Sequence, residues 1–259
     1  MCFFFGMMCF FSYFCRGIGQ FYKILTIMNI AIVLAGGSGS RLGGGKPKQL
    51  LEVAGKTILE HTLDVFETSP LIDEIAVVSR ADCIPVVEEL VEGGCYHKVT
   101  KVLPGGKERY DSSLAALAAY VNDADNLLFH DAVRPMVSHR IIADCIRALD
   151  NCEAVGVAVP TTDTILEVDD SNCIAKVPQR RMLRNAQTPQ GFKRGVIRRA
   201  YDLALQDPGF VTTDDCGVVL KYLPEVPVHI VEGEKTNIKV TYAEDLFLVE
   251  HLLESRKLR

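Results

Sequence analysis

At 259 residues with 48% hydrophobic side chains, the chain suits one large α/β domain better than two small ones. Its net charge of −5 excludes a general nucleic-acid binder, so any cationic cluster is local. Nine cysteines without a Cys-x-x-Cys pair argue against a disulfide framework or zinc site, and for reduced thiols in the cytoplasm.

Residues 1–27 differ from the rest, opening MCFFFGMMCFFSYFC with the first cations only at Arg16 and Lys23. A secretory signal places its charge first, and a membrane span needs about 20 apolar residues, more than this run supplies. The segment therefore reads as an extension outside the fold, with a membrane anchor as the alternative. The folded domain is expected over 28–259, in contact with no membrane.

The apolar run Ile30–Leu34 predicts a buried strand. It leads into a loop carrying Gly36, Gly37, Gly39, Gly43, Gly44 and Gly45 with Arg41, Lys46 and Lys48. Glycines let backbone N–H groups crowd an anion, and the cations neutralise it. Lys46 is followed by Pro47, which excludes a Walker loop, and no helix follows directly, which excludes a dinucleotide fingerprint. A triphosphate-binding loop fits the three cations better than a flexible hairpin does.

Thr57-Ile-Leu-Glu60 reads as a capping box, with Leu59, Leu63 and Phe66 at helical spacing. A strand at Glu74–Ser79, a helix at Ile84–Val91 and a strand at Val99–Leu103 follow. This alternation predicts a mostly parallel sheet with helices on both faces, whose ligands collect at the carboxyl ends of the strands. At one such end lies Pro104-Gly-Gly-Lys-Glu-Arg-Tyr-Asp-Ser112, before the amphipathic run Leu114–Val121. Gly105 and Gly106 permit close approach, and Arg109 and Ser112 would face a ligand at the helix start. A glycine turn with a solvated Arg109 reads as well.

Leu127–Phe129 predicts a strand ending in His130-Asp-Ala-Val-Arg-Pro135, where Asp131 is a candidate Mg²⁺ or ribose contact. Arg134 is assigned to holding the site, and His130 to packing or hydrogen bonding. Ile141, Ile142, Cys145, Ile146 and Leu149 share a helix face, and the strand Ala154–Pro160 follows. Thr162–Val168 and Cys173–Val177 flank a polar turn and read as a hairpin. A lone hairpin is marginal, so packing on a second copy is expected. Gln187-Thr-Pro-Gln190 would shape a pocket or make a tight turn. Helices at Lys193–Leu205 and near Asp214–Leu220, strands at Val228–Val231 and Thr236–Thr241, and a last amphipathic helix capped from Thr241 complete the chain.

From Met28 nearly to the C-terminus the chain resembles the polyol-phosphate cytidylyltransferases, on LAGGSGSRLGGGKPKQ, GGKERYDS, HDAVRP, QTPQ and NIKVT. The resemblance implies a Rossmann-like nucleotidyltransferase fold with a protruding β-arm at about 160–185, and a homodimer that passes each arm into its partner's site. It implies CTP as co-substrate with Mg²⁺, bound through Ala35, Gly36, Gly37, Gly105, Gly106, Arg109, Ser112, Asp131 and Ala132. Asp131 would be the metal contact. Arg41, Lys48 and Lys239 would act on the triphosphate, and Thr164, Arg180 and Arg134 on the polyol phosphate. A solvated Lys239 is what that residue alone would suggest.

The implied reaction is attack by a polyol phosphate oxygen on the α-phosphorus of CTP. A phosphate monoester is largely ionised at neutral pH, with a second pKa of ~6, so no strong base is required. The acceptor is expected to be D-ribitol 5-phosphate, from the tail after Thr213 and the HDAVRP variant, with 2-C-methyl-D-erythritol 4-phosphate as the alternative. Arg184 and Gln179 depart from the methylerythritol pattern, which places the polyol pocket in question and not the CTP site. A nucleotidyltransferase for another acceptor, or a non-catalytic nucleotide-binding module, would lack this combined motif set or its Arg41, Lys48 and Asp131.

Overall fold

The computed structural model describes residues 27–37 and 46–257. The aromatic N-terminal run, and Arg41 with its neighbouring glycines, lie outside the described residues.

The first strand, β1 (Asn29–Ala35), alternates its side chains between two cores. Ala31, Val33 and Ala35 pack on one face of the sheet, and Ile30, Ile32 and Leu34 on the other, as a period of two demands. A short hairpin follows, β2 (Glu52–Val53) and β3 (Lys56–Thr57). Its two-residue turn puts Ala54 and Gly55 at φ of 50° and 86°, the left-handed geometry that matches strand twist. Thr57 then caps α1 (Ile58–Glu67) as its sequence predicts: its hydroxyl accepts from Glu60 N at 3.2 Å and Glu60 Oε2 accepts from Thr57 N at 2.7 Å.

The sheet continues through β4 (Glu74–Ser79), α2 (Ile84–Gly93), β5 (Val99–Pro104), α3 (Arg109–Ala119), β6 (Asn126–Asp131), α4 (His139–Leu149) and β7 (Ala154–Pro160). An arm carries β8 (Glu167–Val168) and β9 (Ile174–Lys176), and the chain returns along β10 (Arg184–Lys193). Then come α5 (Arg194–Ala204), α6 (Asp215–Tyr222), β11 (Val228–Glu232) and α7 (Ala243–Lys257). Spatial order in the seven-stranded sheet is β11-β7-β10-β6-β1-β4-β5. β10 runs antiparallel to both neighbours and every other pairing is parallel. Helices α1, α2 and α4 cover one face; α3, α5 and α6 cover the other.

Several local expectations shift. The helix expected from Leu114 starts at Arg109, because Glu108 and Asp111 form a reciprocal cap there. Gln187–Gln190 is a bulged stretch inside β10, not a tight turn: pairing with β7 slips between Ala186 and Gln190 around the cis Thr188–Pro189 bond. Residues 236–241 are not a strand. They run as irregular chain seated by Val240, whose N–H donates to Val133 O at 2.9 Å and whose side chain is fully buried. The last helix is capped by Asp245 rather than Thr241, its carboxylate accepting from the N–H groups of residues 241 and 242 at 2.7 and 2.8 Å. Nor is it cleanly amphipathic, since Phe247 and Leu248 are exposed while Val249 is buried. Among the described residues no helix is long and apolar enough to cross a membrane.

Candidate active site

The carboxyl ends of β6, β1, β4 and β5 lie side by side in the sheet. The chain leaves β1 toward β4 and β5 on one side and crosses back to β6 on the other, the switch point at which open α/β sheets bind ligands. A cavity of about 560 Å³ opens there, walled by Leu34, Ala35, Gly36, Gly37, Lys48, Gln49, Gly106, Lys107, Glu108, Arg109, Ser112, Asp131, Val133 and Lys239. Nine candidates singled out in the sequence therefore meet in one place: Ala35, Gly36, Gly37, Lys48, Gly106, Arg109, Ser112, Asp131 and Lys239.

Asp131 anchors this wall. Lys239 Nζ reaches its Oδ2 at 2.9 Å and Arg134 Nε reaches the same oxygen at 3.4 Å. Burial alone would push this carboxyl up, but Lys239, Arg109 and Arg134 outweigh it and hold the group well below the usual carboxylate range. It is ionised at any physiological pH. Lys48 also lines the cavity, its Nζ donating to Val240 O at 3.3 Å. Gln49 Nε2 donates to Ala35 O at 2.6 Å and ties the returning loop to the end of β1.

A buried relay fixes Asp131 from behind. Thr188 Oγ1 accepts from Asp131 N at 3.1 Å and donates its proton to His130 Nδ1 at 3.0 Å. His130 Nε2 must then carry the proton, which it donates to Arg134 O at 3.1 Å. Burial pushes the imidazole down from 6.5 to about 4, so it stays neutral and serves as the hydrogen-bonding residue expected of it. Arg134 Nη1 donates to Asn237 O at 2.8 Å, and Asn237 Nδ2 donates to Thr188 O at 2.9 Å. Three segments far apart in sequence (130–134, 187–190 and 237–240) are thereby locked together, which is why Lys239 stands beside Asp131 without being on a strand.

Other candidates lie elsewhere. Ala132 is fully buried and its N–H is committed to Leu34 O at 3.0 Å, so it supports the wall from inside. Arg134 is nearly buried and faces Asn237 and Ala186 carbonyls rather than the cavity. Gly105 sits behind Ser112, where a Cβ would come within 2.6 Å of the Ser112 hydroxyl. Thr164 and Arg180 are together on the arm, Arg180 Nη2 donating to Thr164 Oγ1 at 2.9 Å, and neither lines the cavity of its own chain. Thr188, Asn237 and Gln49 lie in quoted motifs, but the side-chain hydrogen bonds that fix them reach partners 14 to 103 residues distant and periodicity gives no sign of them.

No group of three or more His, Cys, Asp or Glu side chains is placed to hold a metal among the described residues. A single ionised carboxylate still fits Mg²⁺, which takes one or two carboxylates and fills its octahedron with phosphate oxygens and water. Both cationic contacts of Asp131 fall on Oδ2.

Comparison with known proteins agrees with this geometry. The sequence profile of the 2-C-methyl-D-erythritol 4-phosphate cytidylyltransferase family matches residues 29–255. A 2-C-methyl-D-erythritol 4-phosphate cytidylyltransferase from Thermobifida fusca is 52% identical over 231 residues, 87% of this chain and 93% of the relative. The bifunctional ribulose 5-phosphate reductase/CDP-ribitol pyrophosphorylase of Haemophilus influenzae is 47% identical over 88% of this chain, which spans 48% of that longer protein. The crystal structure of 4-diphosphocytidyl-2C-methyl-D-erythritol synthase from Anaerococcus prevotii superposes with a TM-score of 0.77 at 31% identity, covering 88% of this chain and 99% of that one.

Proposed function

The chain belongs to the 2-C-methyl-D-erythritol 4-phosphate cytidylyltransferase family, and from that premise we propose that it transfers the cytidylyl group of CTP to 2-C-methyl-D-erythritol 4-phosphate, releasing diphosphate. The observation that carries the choice of acceptor is the 52% identity to an enzyme of that name over 93% of its length. It reverses the lean toward ribitol 5-phosphate drawn from the tail and the HDAVRP variant. Proteins similar to this chain carry the names of both activities, so likeness to the family as a whole does not separate the two acceptors. Ribitol 5-phosphate remains the second reading because a CDP-ribitol pyrophosphorylase is 47% identical.

In this reading Gly36, Gly37, Gly106 and Ser112 line the nucleotide's path, Lys48 and Lys239 stand at the triphosphate, and Arg41, outside the described residues, is assigned to it by the family resemblance. An oxygen of the acceptor's phosphate attacks the α-phosphorus, the new P–O bond forms, and the bond from the α-phosphorus to the bridging oxygen breaks, with its electron pair leaving on diphosphate. The acceptor phosphate is already ionised, so the barrier is anion meeting anion and charge building on the leaving group. Lys48 and Lys239 oppose both effects from fixed positions. Mg²⁺, held by Asp131 and the triphosphate, would neutralise charge on the nonbridging oxygens.

Acceptor binding falls to the arm. Thr164 and Arg180 are prepaired there, and Ile165, Leu166, Val168, Ile174 and Val177 stand exposed around them. Such an apolar arm is suited to docking on a second copy, delivering Arg180 to the partner's cavity in a homodimer. Six free cysteines among the described residues suit a reducing, cytoplasmic setting.

The test is diphosphate release from CTP and Mg²⁺ with each polyol phosphate offered separately. Turnover with 2-C-methyl-D-erythritol 4-phosphate is expected. Turnover only with ribitol 5-phosphate would install the second reading, and turnover with neither would overturn both.

A further inference from the structure

One buried charge has no part in the chemistry above. Asp215, the first residue of α6, is fully buried. Its two oxygens are divided between tasks. Oδ2 accepts from Arg109 Nη1 at 2.6 Å. Oδ1 accepts from Ser113 Oγ at 2.7 Å and from Tyr201 OH at 2.6 Å. Its backbone N–H and that of Cys216 both donate to Gln190 Oε1, at 3.0 and 3.3 Å, so β10 sets the start of α6 and with it the height of the carboxylate.

We propose that Asp215 is a positioning residue for CTP: it holds the Arg109 guanidinium against the cavity wall, ready for the triphosphate, through a bond that leaves the remaining guanidinium N–H groups to the ligand. The proposal rests on the reading of the cavity as the CTP site. A guanidinium carries five N–H donors in a rigid plane, and the bond to Asp215 uses Nη1. Fixing one edge of that plane fixes where the others point. A buried ion pair is a poor device for stability, since an apolar pair of similar shape does as well or better. Its use here, one face in the core and the Arg109 side chain 26% exposed at the cavity, suits orientation. Binding then costs less ordering of a long side chain. Tyr201 and Ser113, on α5 and α3, keep the carboxylate from rotating toward the cavity itself.

Positioning and simple charge predict opposite signs, which makes the test decisive. Asp215→Asn removes a negative charge near an anion site, so charge alone would lower KM for CTP. Loss of positioning raises it, by an expected tenfold or more, with kcat changed less than KM. In an Arg109→Ala background the same substitution should leave KM for CTP where Arg109→Ala alone puts it. Tyr201→Phe, which removes one of the two bonds to Oδ1 and spares Oδ2, should raise KM for CTP by less than Asp215→Asn does, since Ser113 still holds the carboxylate. If Asp215→Asn does not fold, Asp215→Glu keeps the charge and displaces its oxygens by one methylene, and the same rise in KM is expected. An unchanged or lowered KM in the folded variant, or an equal change with and without Arg109, overturns the proposal. Arg109→Ala that leaves KM for CTP unchanged would instead remove the cavity assignment beneath it.

Discussion

Asp131 and Arg180 both stand in the reading above for recognition of charged groups, yet they are held in opposite ways. Asp131 ends a central strand, is 8% exposed, and is gripped by Lys239, Arg134 and the hydroxyl of Thr188. Arg180 sits on a two-stranded arm, exposed, with the single hydroxyl of Thr164 as its side-chain partner. The first is built from strand ends of one chain; the second, in the proposed reading, is completed by a partner copy. Where a reaction must hold a triphosphate still and admit a small acceptor, rigid sheet ends suit the first task. A segment ordered by a second copy suits the other.

The largest effects test the rigid half. Lys48→Ala and Lys239→Ala should each lower kcat by about 10²–10³, the cost of deleting one preorganised electrostatic contact, with the fold intact by circular dichroism. Near-normal turnover in either variant would break the contrast by showing that the sheet-end cations are bystanders. Arg180→Ala is expected to act through the acceptor, raising its KM while leaving CTP binding alone. The arm's half is sharpened by mixing: Lys48→Ala and Arg180→Ala proteins, each impaired alone at low acceptor concentration, should regain turnover after subunit exchange, because in the proposed dimer one of the two mixed sites keeps both residues. No recovery despite exchange would mean that each chain builds its own acceptor site.

Titration of the Asp131 wall gives the next effect in size. His130 is neutral in the fold, its imidazole pushed by burial from 6.5 to about 4. Between those values the unfolded chain binds a proton that the folded chain refuses, so stability falls as pH drops through that window, by roughly 3 kcal/mol in all. Asp131 acts in a separate window. Its folded carboxyl is depressed, so the stability it contributes is present above the unfolded value of 3.8 and is lost only below it. Urea denaturation from pH 7 to 4 should therefore show the slope in the native protein, and His130→Gln should flatten it. A slope that survives the substitution would place the proton elsewhere.

This division also explains what could be read in advance. Strands that are nearly unbroken apolar runs, such as Glu74–Ser79 and Ala154–Pro160, match their expected bounds, because burial on both faces is written into each residue. The cavity wall could be named because glycines and charged residues cluster locally in LAGG, GGKER and HDAVRP. What stayed hidden depends on distant partners. β10 carries Arg184, Asn185, Gln187 and Thr188 with no alternation, and it is a strand because β6 and β7 flank it. Residues 236–241 look like a strand by their β-branched content and are instead held by Val133 and a buried cluster with α7. Asp215 stands in TTDDCG with nothing nearby in sequence to show that Arg109, 106 residues earlier, meets it.

The smallest effect separates scaffold from site. Thr57 caps α1 from the edge of the small hairpin, and Thr57→Ala removes a bond to Glu60 N together with the return bond's geometry. Loss of such a cap costs about 1 kcal/mol, a fall in Tm of about 2–4 °C for a chain of this size. α1 does touch the site segment, but further along the helix, through Thr62, whose hydroxyl donates to Ala132 O at 2.8 Å, and through Phe66, whose ring meets His130 edge-on at 5.1 Å. Fraying at the cap is confined to the first turn, so kcat and both KM values should stay within twofold while Tm falls. A kinetic change larger than that would mean that the first turn of α1 sets the height of the Asp131 wall, and that the rigid half of the molecule extends to the hairpin.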